Sequence, residues 1–155
     1  MSLIILYTAT ALVFLALDVV MLKRVLHPLF SKHIGHMMLE APKMGAAGVF
    51  YLLYVAGIVF FVALPAANGG SMLQAFVAGL VLGAMAYGTY EFTNFATLKG
   101  WRRRMVAIDL SWGALLTALS AVGGVWIHSI SVSYTHLRAH ETPEHRVCRL
   151  RLEKK

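Results

Sequence analysis

The sequence predicts an all-α integral membrane bundle of four transmembrane helices, with an interfacial helix in the first cytoplasmic loop. Three observations carry that prediction. Four apolar runs are each long enough to cross a hydrocarbon core about 30 Å thick, which takes about 20 helical residues. Hydrophobic residues make up 59% of the 155-residue chain and charged ones 14%, against roughly 45–50% and about 25% in soluble globular proteins. The Lys and Arg residues gather in alternate connections between the runs. A soluble chain of this size could not hide so much apolar surface. The composition therefore excludes a secreted disulfide scaffold, a disordered chain and an ordinary soluble enzyme.

The spans fall at about 3–22, 46–64, 72–97 and 105–127. The first contains one charged residue, Asp18, and the fourth contains one, Asp109. The second contains none, and the third reaches Glu91 only after a long uncharged stretch. Backbone groups in lipid must satisfy their own hydrogen bonds, so these runs are helices. The first lacks a basic leader and a small-residue cleavage site, and is read as retained.

The connection at 65–71, with Asn68, Gly69 and Gly70, has no Lys or Arg. The first connection has Lys23, Arg24, Lys32 and Lys43, and the third has Lys99, Arg102, Arg103 and Arg104. Eight basic residues on one side against none on the other place both basic loops in the cytoplasm. Both termini then lie on the outer side of the cell inner membrane. The last 24 residues, from Val132, hold six of the 14 Lys/Arg residues and the single cysteine. They have no apolar stripe and resemble assembly or adapter read-through. The transmembrane domain is accordingly assigned to 1–128, and 129–155 to a non-native or disordered tail.

Carboxylates inside a membrane are costly, so each is a functional-site hypothesis. From the ~1.5 Å rise per helical residue, Asp18, Glu91 and Asp109 all lie roughly 7–12 Å from the basic edge. Tyr87, Glu91 and Asn94 share one face of the third helix. Tyr51 and Tyr54 reach the same layer from the second helix, and Trp112 lies near Asp109 on the fourth. One reading is an inward-facing pocket for a ligand, proton or lipid head group, built from Asp18, Tyr51, Tyr54, Tyr87, Glu91, Asn94, Asp109 and Trp112. A second is that the acids bond Tyr, Trp, Thr and Asn partners and set the helix register. A third pairs Asp18 and Asp109 with Lys23 or the Arg102–Arg104 cluster.

Gly79 and Gly83 on helix three, with Gly113, Thr117, Ser120 and Gly124 on helix four, mark close-packing faces. Trp101 and Trp126 read as interfacial anchors. Pro28 to Leu39 reads as an interfacial helix whose Leu29, Phe30, Ile34, Met37 and Met38 dip into lipid. His33 and His36 share a face, but two ligands are too few for a metal site, and no metal or cofactor is expected. No nucleic-acid motif, P-loop, dinucleotide fingerprint or nucleophile elbow is present.

The run from Tyr87 to Trp101 (YGTYEFTNFATLKGW), followed by Asp109 to Gly113 (DLSWG), resembles the signature of domain-of-unknown-function family 2177, a family of predicted bacterial membrane proteins. Leu15 to Asp18, the Gly35–His36 pair and Phe50 to Tyr54 are similar to it as well. The resemblance covers about residues 1–128. In that family an Asp is frequent where this chain has Glu91, which keeps the charge and lengthens the arm. The resemblance implies a small inner-membrane protein and brings no activity, cofactor or catalytic residue.

Three function classes remain: a small transporter, channel component or ligand-binding protein; a membrane enzyme or accessory subunit acting on lipid; and a structural or assembly partner. The spans hold no His beside the carboxylates, the companion acid–base catalysis most often uses, so the residues lean away from an enzyme. The partners expected are the bilayer, a small ligand or lipid head group, and a second copy or another membrane protein, with no nucleic acid.

Overall fold

In a computed structural model of the chain, the backbone is described for residues 2–140 and side chains for residues 2–131. Helix α1 spans Ser2–Met21 and passes through a π-helical turn, Leu22–Leu26, into α2, His27–Ile34. A 3₁₀ turn, Gly35–Met37, ends this rod. Helix α3, Met44–Ile58, likewise runs through a π-helical turn, Val59–Ala63, into α4, Leu64–Ala67. Helices α5, Met72–Thr97, and α6, Arg103–His140, complete the chain. Four helical stretches are long and apolar enough to cross a membrane, as the composition requires.

Both π-helical turns lie just before a proline, Pro28 or Pro65. Proline has no N–H to give the carbonyl four residues back, and its ring crowds that carbonyl. A wider turn absorbs the misfit without breaking the helix. The first helix therefore does not stop at residue 22, and the second runs past residue 64 to Ala67. Helix α5 begins at Ser71, whose Oγ accepts the Gln74 N–H at 3.1 Å, as an N-cap should. Gly69 and Gly100 take positive φ, 115° and 93°, where the chain reverses.

Helix α6 is the axis of the bundle. It packs most extensively against α5 and α1. Half of its apolar window is buried (50%), against 22–28% in the other three spans. The seams depend on small residues. A side chain at Gly79 would come within 2.6 Å of the Ala118 Cα, and one at Gly124 would collide with Thr10. Leu6, Phe14, Val55, Ile58, Leu116 and Ala121 fill the core between the helices.

Two elements differ from the sequence reading. Leu29, Phe30 and Ile34 of α2, expected to turn toward lipid, pack on Trp101, Met105 and Val106, with Leu29 and Phe30 half-buried. Of the large apolar side chains in this segment, Met37, Met38 and Leu39 remain exposed. The reason is the π-helical turn, which carries α2 on from α1 and over the start of α6. At the other end of the chain, α6 continues past residue 127 to His140. The rest of the expected tail, 141–155, lies outside the described residues.

Candidate functional site: an acidic, aromatic cavity at the basic end

A cavity of about 410 Å³ opens at the end of the bundle where the basic loops lie. It exists because α3 stands away from its neighbours there. Between Met44 and Leu53 only Ala47 and Tyr51 are even half-buried. Helix α3 meets the bundle again through Val55 and Ile58 and through the π-helical turn.

Five of the eight residues singled out in the sequence line this space: Asp18, Tyr51, Tyr54, Tyr87 and Asp109. Asp18, from α1, is 5% exposed. The Tyr51 hydroxyl of α3 lies within hydrogen-bonding reach of its carboxyl. The Trp112 indole N–H is also near Asp18 but is buried without closing a hydrogen bond to any acceptor. Asp109, two turns into α6, is 7% exposed. Its carboxyl meets that of Glu91 and lies in electrostatic range of Asp18. Neither Asp18 nor Asp109 forms an ion pair with Lys23 or with Arg102, Arg103 or Arg104. The interfacial ion-pair reading is therefore overturned. Those basic groups sit on loops and helix ends, while the acids face the interior.

The aromatic walls are held from behind. Thr117 donates to the Gly113 carbonyl at 2.7 Å, so its oxygen accepts from the Tyr54 hydroxyl, 2.9 Å away. The Tyr87 ring lies directly over Gly113, where any Cβ would strike it. Tyr54 and Tyr87 meet edge to face at 6.2 Å, and Phe50 stacks on Tyr54 at 5.9 Å.

Glu91, Asn94 and Trp112 do not line the cavity. Asn94 lies within hydrogen-bonding reach of the Tyr90 side chain, one turn away. Glu91 is 0% exposed, and its Oε2 accepts the Trp101 indole N–H at 2.8 Å. Its Oε1 has no hydrogen-bond partner among the described residues, and the Asp109 carboxyl lies against the Glu91 side chain. Trp101 is correspondingly not an interfacial anchor. It is 7% exposed and clasped edge to face by Phe30 at 5.3 Å and Tyr90 at 5.7 Å. A positive φ at Gly100 turns the loop inward, and Glu91 supplies the indole's acceptor. Trp126, 58% exposed, keeps the surface position expected of it.

The sequence reading missed His27, Phe30, Phe50 and Tyr90, which also line the cavity. Tyr90 could have been found, since it stands one turn beyond Tyr87. His27 and Phe30 could not, because they reach the site only if α1 continues through the π-helical turn. His33 commits Nδ1 to the Leu29 carbonyl, 2.9 Å away. Among the described residues no three His, Cys, Asp or Glu side chains gather as a metal site requires.

Four apolar helices with an open, acid-lined cavity at one end define a polytopic α-helical membrane protein. More particularly, the chain belongs to the family described as "Predicted membrane protein (DUF2177)", whose model matches residues 3–126. No curated protein and no solved structure matches the chain.

Proposed function

We propose that this is a multi-pass protein of the cell inner membrane that binds a small ligand in the cavity at its cytoplasmic side, as a carrier or a ligand-responsive membrane component. Both termini face outward in this reading. The eight-to-none distribution of Lys and Arg between alternate connections supports the orientation. The observation that carries the binding role is the pair of buried acidic side chains, Asp18 and Asp109, lining an open cavity with no ion pair to any described residue. Uncompensated carboxylates at membrane depth cost several kcal/mol on most scales, about 2.5–3.5 by insertion. A bundle that needed only register could have used uncharged groups. Glu91 has a different role: its bond to Trp101 ties the third loop to α5 and is structural.

Thiol accessibility tests the proposal. Ala86 lines the cavity, whereas Val81, further along α5, faces outward. In a Cys148→Ser background, Ala86→Cys should react with a membrane-impermeant maleimide added to inside-out vesicles, and Val81→Cys should not. Failure of Ala86→Cys to react from that face, with the protein folded, would remove the basis of the proposal.

A further inference from the structure

We infer that the cavity selects an amphipathic organic cation: an ammonium or similar positive head group carried on an aryl or alkyl body. This rests on the reading of the cavity as a binding site and names what the site takes.

Asp18 and Asp109 come from different helices, and each is more than nine-tenths buried. Among the described residues no Lys, Arg or His forms an ion pair with either, and His27 is the one basic side chain in the lining. A buried carboxylate requires a partner of opposite charge or a proton. A proton alone would need neither 410 Å³ of space nor an aromatic wall, whereas this volume lies within the roughly 300–1,000 Å³ typical of small-molecule sites. Anionic ligands, including phosphate and carboxylate head groups, would meet two buried acids, with His27 as the one basic side chain in the lining. Hard inorganic cations such as calcium take about six to eight oxygen ligands. Here the lining beyond the two carboxyls and the tyrosine hydroxyls is carbon-rich, with Leu22, Leu26, Phe30 and Phe50.

The same lining suits an organic cation at both ends. Tyr54 and Tyr87 are held by Thr117 and Gly113 and line the cavity with Tyr51 and Tyr90, and electron-rich rings of this kind attract a cation. The rim is apolar and reaches the outer surface: Phe50 is 60% and Tyr90 53% exposed. A head group thus meets the acids at depth while its hydrocarbon body lies against the rim.

The test uses the full chain in neutral detergent and three probes on one scaffold: (1-naphthylmethyl)trimethylammonium, 1-naphthylmethanol and 1-naphthylacetate. Equilibrium dialysis should show saturable binding of the cation, about tenfold weaker binding of the alcohol, and none of the acetate. Asp18→Asn and Asp109→Asn should each weaken the cation about tenfold and leave the alcohol unchanged. Ala86→Phe fills the space without touching an acid and should abolish binding of both. If an Asn variant does not stay monodisperse, the probe series on the unaltered chain with Ala86→Phe decides. Equal binding of cation and alcohol, both lost in Ala86→Phe, would overturn the cation assignment and leave the cavity as a binding site. No saturable binding of any probe would overturn both.

Discussion

Replacing Trp101 by Phe removes one indole N–H from a place where little can substitute for it. Glu91 is fully buried, its Oε2 bonds that N–H at 2.8 Å, and its Oε1 has no partner among the described residues. In water-soluble proteins a hydrogen bond to a charged group contributes about 1.5–3 kcal/mol. Interhelical bonds in membranes average about 0.6 and reach about 1.7, because the unfolded chain in lipid also finds partners. The Glu91–Trp101 bond should lie at the upper end of that range, about 1–2 kcal/mol, since it serves a fully buried carboxyl group. Loss of ring area between Phe30 and Tyr90 adds about 1 kcal/mol that is independent of Glu91. A double-mutant cycle of Trp101→Phe and Glu91→Met separates the two. Trp101→Phe should cost about 2–3 kcal/mol alone and about 1 when Glu91 is already Met. Reversible unfolding in mixed SDS micelles, followed by circular dichroism, measures this. Tyr54→Phe with Thr117→Val supplies the reference cycle for a neutral pair, expected near 0.6 kcal/mol. A Trp101–Glu91 coupling no larger than that reference would refute the structural role given to Glu91.

Gly113→Ala should destabilise the bundle by about 1–3 kcal/mol, because the new methyl strikes the Tyr87 ring between α5 and α6. Gly45→Ala and Gly48→Ala meet open space and should be neutral or stabilising by up to about 1 kcal/mol in the same unfolding assay. Reporter fusions at Asn68 should work only on the outer side and fusions at Lys99 only in the cytoplasm; the opposite pattern would reverse the proposed topology. A chain ending at Ser131 should melt within about 2 °C of the full one, since the family match ends at 126 and the buried core at Val125. A larger fall would show that later residues support the bundle.

The spans were legible because crossing lipid leaves so few sequence solutions: about twenty apolar residues and no exposed backbone. Asp18 and Asp109 were legible for the converse reason, as rare charges in such runs. Depth counting brought Glu91 into the same layer correctly, but depth says nothing about direction. Glu91 and Asp109 meet, yet only Asp109 lines the cavity. Trp101 was misplaced because a tryptophan beside basic residues resembles an interfacial anchor, and only the turn at Gly100 with an acceptor ten residues back reveals otherwise. The contribution of α2 was hidden by Pro28, which in sequence reads as a break and in three dimensions is absorbed by a π-helical turn.

The central position of α6 has a consequence for how the protein is made. Chains enter the membrane from the N-terminus, so α1, α3 and α5 cross before the helix that joins them exists. Gly124 has not yet covered Thr10, Trp112 and Asp109 have not reached Asp18, and Glu91 lacks both Trp101 and Asp109. At about 5–20 residues per second, synthesis from Glu91 through the middle of α6 takes on the order of a few seconds. Throughout that interval Glu91 stands in the bilayer without its partners, and Asp18 has only Tyr51 of α3 beside it. The early spans therefore depend on their own apolar length to stay inserted, and the nascent chain is most open to extraction and membrane proteolysis just before its final helix arrives. Substitutions on α6 should consequently lower the amount of protein recovered from membranes more than equally destabilising ones on α3.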